Sequence, residues 1–410
     1  MKRAKISATN YIMAIESGSE RFLWFLDGND KFAGAYRDSD NNPDIDFALS
    51  GGPRFRDTNG FYHCVLAYDT SQSTGSDRIK FYVNNEEYTV TQSTTIPQNQ
   101  IMPLNKSSFA GDLHLGSAVG SSYYDGILTH IHFVDGQQLT PSTFGETDST
   151  TGIWKPKLSP SVTYGTFGFF LDMADSSAMG NDVSGNNNDF TVNGTITQTI
   201  DTPSNVFCTF NPLIKGSGSL LSKGNLRGTK SGSSHSSLVG TLGVSKGKYY
   251  FEAKLNTVGS VVNATAIGIA RIDSVVFKDS SHNAGAANDY VYTAGAEKQV
   301  NNTTASYGNT YTTGDIIGVA FDLDNNYLYF SKNGTWQNSG DPESGATGTG
   351  GLAITSGDYF TAMAGLYGGT VWDLNFGNGY FETTAVASAG TNTGIGTFEY
   401  DVPSGYKALC

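Results

Sequence analysis

Asp315-Ile-Ile-Gly-Val-Ala-Phe-Asp322 leads into Tyr327-Leu-Tyr-Phe-Ser-Lys-Asn-Gly-Thr-Trp336, and the reading of this pair decides the fold. Each stretch is a short run rich in β-branched and aromatic residues, bounded by Asp and Asn, which is the pattern of paired strands. The Asn333-Gly334 tip supplies residues that tolerate the positive φ of a tight hairpin turn. The alternation of strand side chains puts Leu328 and Phe330 on one, buried face and Tyr327 and Tyr329 on the other, where truncation is expected to matter less. The same arrangement occurs earlier. Phe61-Tyr-His-Cys-Val-Leu-Ala-Tyr-Asp69 is followed by Asp77-Arg-Ile-Lys-Phe-Tyr-Val-Asn-Asn85, where Ile79, Phe81 and Val83 share a face opposite Lys80 and Tyr82. Two copies of the pattern predict two modules.

Composition agrees. The 410 residues suffice for two or three domains, each with its own core and no need of disulfide or metal. Fifty glycines, 22 tyrosines and 24 phenylalanines, with only 15% charged residues, describe short aromatic strands joined by small-residue turns. No stretch reaches the roughly 20 apolar residues of a membrane-spanning helix, and the basic start Met1-Lys-Arg-Ala-Lys5 is not followed by the apolar core of a secretion signal. A net charge of -13 repels phosphate backbones, so nucleic acid is not an expected partner. Three cysteines, Cys64, Cys208 and Cys410, cannot all pair within one chain, and free thiols in a reducing compartment are expected.

Along the chain, further strands are expected at Arg21–Leu26, Asp125–Val134, Tyr164–Asp172, Gly247–Leu255, Ala266–Ala270 and Tyr359–Gly365, with a short helical turn after Thr140 at Pro141. The polar stretch Thr195–Asn205 marks a boundary. The expected organisation is a first sandwich over 1–194, a linker over 195–205, a second sandwich over 206–382, and a small-residue linker over 383–410 leading into a further region.

The first half resembles laminin-G-like, concanavalin A-like jelly rolls, through Phe55-Arg-Asp-Thr-Asn-Gly-Phe-Tyr-His63, Asp77–Asn84 and Asp125-Gly-Ile-Leu128. Its stretch His132-Phe-Val-Asp-Gly-Gln-Gln-Leu-Thr-Pro-Ser-Thr-Phe-Gly-Glu-Thr-Asp148, with Ser184-Gly-Asn-Asn-Asn-Asp-Phe-Thr191, is similar to a variant found in structural proteins of marine tailed bacteriophages. In the second half Gly247-Lys-Tyr-Tyr-Phe-Glu252, Gly314–Asp322 and Leu328-Tyr-Phe-Ser-Lys-Asn-Gly334 resemble a SPRY, or B30.2, domain. The resemblance implies an all-β chain of two tandem antiparallel β-sandwiches. It further implies a non-enzymatic virion component, such as a tail fibre, assembled in the host cytoplasm, that binds a host-surface glycan or protein and other virion proteins. Homo-oligomer formation stays open. The alternatives are a glycan-degrading enzyme on the first sandwich and an intracellular SPRY adaptor. Against the resembled phage proteins the chain also reads as a fragment whose parent extends past both ends.

Candidate chemistry is sparse. Asp44 and Asp46 alternate as glucanase carboxylates do, without the third acid, and are read as solvated. His130 and His132 lack a third ligand. Asp322 and Asp324 are read as a turn bonding its own backbone rather than as a cation site. Asp182, Asn186 and Asp189 form the best calcium-like cluster, and no other cofactor is expected. Tyr123, Tyr124, Tyr290, Tyr292, Tyr307 and Trp336 are expected at loop or hairpin edges, where rings stack on a sugar or anchor a protein interface.

Overall fold

The computed structural model describes residues 1–37, 44–105, 111–118, 122–272, 289–300, 303–387 and 394–410. Among them strands dominate, and the chain divides into two compact units, Met1–Gln198 and Thr199–Cys410. No helix of the described residues is long and apolar enough to cross a membrane.

In the first unit a six-stranded antiparallel sheet runs, in spatial order, Leu113–Leu115, Asn10–Ser17, Glu20–Leu26, Phe32–Arg37, Ile45–Leu49 and Val90–Gln92. A three-stranded sheet of Cys64–Tyr68, Ile79–Val83 and Glu86–Tyr88 supplies the other side of the core. Ile79, Phe81 and Val83 are buried and Lys80 and Tyr82 half-buried, as the alternation requires, and the turn is made by Asn84 and Asn85 at φ of 48° and 71°. The expected long strand Asp125–Val134 is instead two short pieces, Gly126–Ile127 and Ile131–Phe133. His130, at φ 48°, breaks it. Pro141–Phe144 forms the expected helical turn, but the Thr140 hydroxyl bonds Ser142 Oγ at 3.0 Å and does not cap a backbone N–H.

The stretch 132–148 is held by aromatic packing. The His132 ring stacks on Phe170 with centroids 4.0 Å apart, lies 5.0 Å from Phe144, and its Nδ1 is 2.9 Å from the Tyr164 hydroxyl. Nearby Trp154 Nε1 donates to His63 Nδ1 at 2.9 Å. Burial lowers both imidazoles, His63 to about 4 and His132 to about 3.

The second unit holds a seven-stranded sheet, Phe210–Lys215, Ser236–Gly240, Phe360–Leu366, Ala266–Arg271, Tyr290–Thr293, Glu297–Val300 and Thr303–Ser306. The other sheet orders Ser219–Ser222, Arg227–Lys230, Val371–Asn375, Lys248–Thr257, Ile316–Asp322, Tyr327–Lys332 and Thr335–Trp336. Phe251, Ile317, Val319, Leu328 and Phe330 from this sheet and Ile267, Tyr292 and Ala364 from the other share one core.

Two expectations fail here for one reason: the outer face of the second sheet is also covered. Every residue of Ile316–Asp322 is buried, and Tyr329 is 1% exposed against 0% for Leu328. Tyr329 lies against Gly340 and Gly351, on the segment that carries the 3-10 turns Gln337–Ser339 and Pro342–Thr347. The rest of the cover is the C-terminal stretch, which is no linker. Phe398, Val402, Tyr406, Ala408 and Leu409 are buried, Lys407–Ala408 pairs in parallel with Tyr249–Tyr250, and Cys208 N donates to Leu409 O at 2.9 Å. Residues 388–393 of the expected linker lie outside the described ones.

Glu252 clasps this cover. It is fully buried, and its carboxylate accepts from Glu399 N at 2.8 Å, Tyr400 N at 2.9 Å, the Tyr250 hydroxyl at 3.1 Å and Asn375 Nδ2 at 3.2 Å. Burial outweighs these donors and raises its carboxyl to about 7. With both faces covered, Leu328→Ala and Tyr329→Ala are each expected to cost the second unit roughly 2–5 kcal/mol. Tyr327→Ala, at a half-buried position, is expected to cost less, and urea melts of the three variants check the ranking.

Candidate functional site

The aromatic residues expected at edges separate into three groups. Tyr290, Tyr292 and Tyr307 are 1%, 0% and 4% exposed, which corrects their placement at an accessible edge. They face inward across the sandwich, where Tyr292 contacts Tyr307, Tyr311 and Phe330. Tyr124 is half-buried and donates to Lys2 O at 2.8 Å, bracing the first unit. Tyr123 is 70% exposed, and Trp336 is half-buried with an edge-on contact to Tyr250 at 6.5 Å.

Around Trp336 the structure assembles a platform from two segments of the second unit, the loop 307–315 and the hairpin tip 333–336. The buried tyrosines hold it from below. The Tyr292 hydroxyl donates to Asn309 O, and the Tyr311 hydroxyl donates to Tyr292 O at 2.8 Å. Gln337, 4% exposed, ties the segments together: its Oε1 accepts from Asn309 N at 2.9 Å and its Nε2 donates to Thr335 O at 2.8 Å. Asp315 makes the second tie, accepting from Thr312 N at 2.8 Å, Asn333 Nδ2 at 2.7 Å and Lys332 Nζ at 3.2 Å. Burial pushes its carboxyl up, but these donors together outweigh burial and hold it below the usual range. Lys332 also donates to Thr310 O at 2.8 Å.

Gly308, Asn309, Thr310, Thr312, Thr313, Gly314, Asn333, Gly334 and Thr335 are left exposed. The outcome is a braced, uncharged surface of amides and hydroxyls, with its single acid and base spent on each other. Such a surface recognises by shape and hydrogen bonding, not by long-range charge. Of these residues only Trp336 and the Asn333-Gly334 turn stood out in the sequence. Asp315 and Gln337 were the missed ties, and the signal for Asp315 was its place at the head of the Ile316–Asp322 strand opposite the turn.

The other candidates do not converge on a site. Asp182 accepts at Oδ1 from Phe170 N and Ser184 N, and at Oδ2 from Ser184 Oγ and Asn188 N, all at 2.9 Å. Asp189 Oδ1 accepts from Asp182 N at 2.8 Å, while Asn186 turns its Nδ2 donor toward the carbonyls of Gly165 and Gly168 at 2.6 and 2.8 Å. The chain's own donors meet the Asp182 oxygens, and the cluster of Asp182, Asn186 and Asp189 staples the 165–170 turn. No group of three His, Cys, Asp or Glu among the described residues is placed to hold a metal. Asp44 and Asp46 are 70% and 65% exposed and share Arg37, at 3.2 and 2.5 Å. Asp322 accepts from Asp324 N, Asn325 N and Asn325 Nδ2 at 3.0, 2.9 and 2.8 Å, a turn bonding its own backbone.

Residues 248–354 match the family model of the SPRY domain, so the second unit carries a SPRY domain. The solved structures similar to the chain include the SPRY domain of human HERC1, at 16% identity and TM-score 0.31, covering 40% of this chain and 96% of that one. No curated protein matches.

Proposed function

We propose that the chain is a non-catalytic binding protein that grips a protein partner with the SPRY unit, through the platform of residues 308–314 and 333–336. The observation that carries this reading is the bracing by Gln337 and Asp315. It orders two exposed segments before any partner arrives, and it thereby lowers the entropy cost of binding. The protein-binding character of SPRY domains supports it. So does the pairing of both Asp44 and Asp46 with one arginine in solvent, an arrangement unlike a catalytic carboxylate pair.

For the setting we propose a tailed-phage virion component with a concanavalin A-like first unit, on the resemblance of residues 132–148 and 184–191, with a host-surface protein or glycan as the target. An intracellular adaptor would use the same platform, and mass spectrometry of purified particles separates the two settings. Thr335→Arg, on an exposed position, is expected to leave the melt unchanged and to weaken partner binding about tenfold or more, as charge forced into a neutral contact does. Unchanged affinity in titration calorimetry would remove the platform from the interface.

A further inference from the structure

The two edges of the seven-stranded sheet differ. At one edge the Phe210–Lys215 strand contains Pro212, ends in Lys215 and carries a register shift against Ser236–Gly240. Proline, lysine and irregular pairing are the devices by which natural sheets block addition of another strand. The other edge, Thr303-Thr304-Ala305-Ser306, has none of them. All four residues are exposed and uncharged, their pairing with Glu297–Val300 is regular, and no described strand lies beyond them in the sheet.

The ladder phase shows which backbone groups this edge offers. Tyr307 N donates to Ala296 O at 2.9 Å, continuing the register in which Ser306 faces Glu297. Hydrogen-bonded and non-bonded pairs alternate along an antiparallel ladder. Residues 303, 305 and 307 therefore bond inward, and Thr304 and Ser306 turn N–H and C=O outward. Two such edges related by a two-fold axis satisfy each other in one register: Thr304 opposite Ser306 of the second copy, with Ala305 facing its own counterpart on the axis. That register makes about four backbone hydrogen bonds. It places the smallest side chain of the strand where the two chains approach most closely and sets hydroxyls against hydroxyls on the other face.

We propose that the Thr303–Ser306 edge is a homotypic contact through which two copies of this chain join their SPRY sheets antiparallel. Self-complementarity selects a second copy, because the outward groups of Thr304 and Ser306 are matched by the same two residues of another chain. The chain carries a net charge of -13, so most of its surface repels its own kind, while this strand brings no charge to the contact. The nearest like charges on one face, Lys298 and its counterpart on the strands behind, stand about three strand spacings or ~14 Å apart, beyond the ~8 Å screening length. So short a contact is weak and depends on concentration.

Sedimentation velocity of the full chain between about 5 and about 500 µM is expected to show a shift from monomer toward dimer. Thr304→Pro removes one outward N–H, and Ala305→Lys sets two ammonium groups face to face on the axis. Both are expected to hold the chain monomeric over the same range with unchanged melts. In a Cys410→Ser background, Ala305→Cys places two thiols at a non-bonded antiparallel pair, within disulfide reach. Oxidation is expected to yield a covalent dimer there and not for the exposed control Ser234→Cys. A chain that stays monomeric throughout, an association that both edge variants leave intact, or equal cross-linking of the control would each overturn the proposal.

Discussion

Removal of residues 398–410 is expected to unfold the second unit and not merely to shorten it. Phe398, Val402, Tyr406 and Leu409 are 3%, 8%, 2% and 0% exposed. At about 1.5–3 kcal/mol for each buried side chain, their loss is on the order of 8 kcal/mol, comparable with the roughly 5–15 kcal/mol that stabilises a whole domain. The deletion also strips two backbone donors from Glu252 and leaves a buried carboxylate short of partners. The truncated chain is expected to keep the first unit's protection in hydrogen exchange while residues 248–257 and 316–332 exchange freely. A second unit that keeps its protection would mean that the cover is dispensable.

The second large effect is opposite pH dependence in the two units. His63 and His132 fall from an ordinary 6.5 to about 4 and about 3 in the folded first unit. The unfolded chain therefore binds more protons between these values, and the first unit's stability, fully present above pH 6.5, is lost as pH falls. At pH 4 the loss is about 3 kcal/mol for each histidine. Glu252 behaves inversely, since its carboxyl rises from an ordinary 4.5 to about 7. The folded second unit holds the extra proton, so its stability is present below pH 4.5 and falls by about 3 kcal/mol as pH rises through 7. Asp315 and Asp322, held low, act only at more acid pH. Hydrogen exchange read separately on each unit from pH 4.5 to 7.5 is expected to show the first gaining and the second losing protection, with Glu252→Gln flattening the second trend. Parallel trends would contradict the assigned causes.

Sequence pattern was a good guide where a local rule governs. The Asn84-Asn85 and Asn333-Gly334 turns sit at positive φ, and the Ile79–Val83 strand alternates because one of its faces is wet. The pattern failed where a distant segment supplies the environment. Nothing in Tyr327–Lys332 tells that residues 337–351 and 398–409 cover its second face, so Tyr329 read as peripheral. The aromatic list failed for the same reason. A tyrosine at a strand end is equally suited to a rim and to a core, and for Tyr290, Tyr292 and Tyr307 the facing sheet decides. Asp182 shows the converse limit, since a loop dense in Asp and Asn looks alike whether its oxygens accept from a cation or from its own backbone N–H groups.

The claim that the platform is where a protein partner binds is tested most directly by a photo-reactive side chain at residue 335 of the intact chain, irradiated in a lysate of its source cells. The expected result is one covalent adduct whose mass and peptides identify a polypeptide, and which Trp336→Ala strongly reduces. An adduct formed equally well with Trp336→Ala, or no polypeptide adduct at 335 while a probe at the exposed Tyr123 of the first unit gives one, would contradict it.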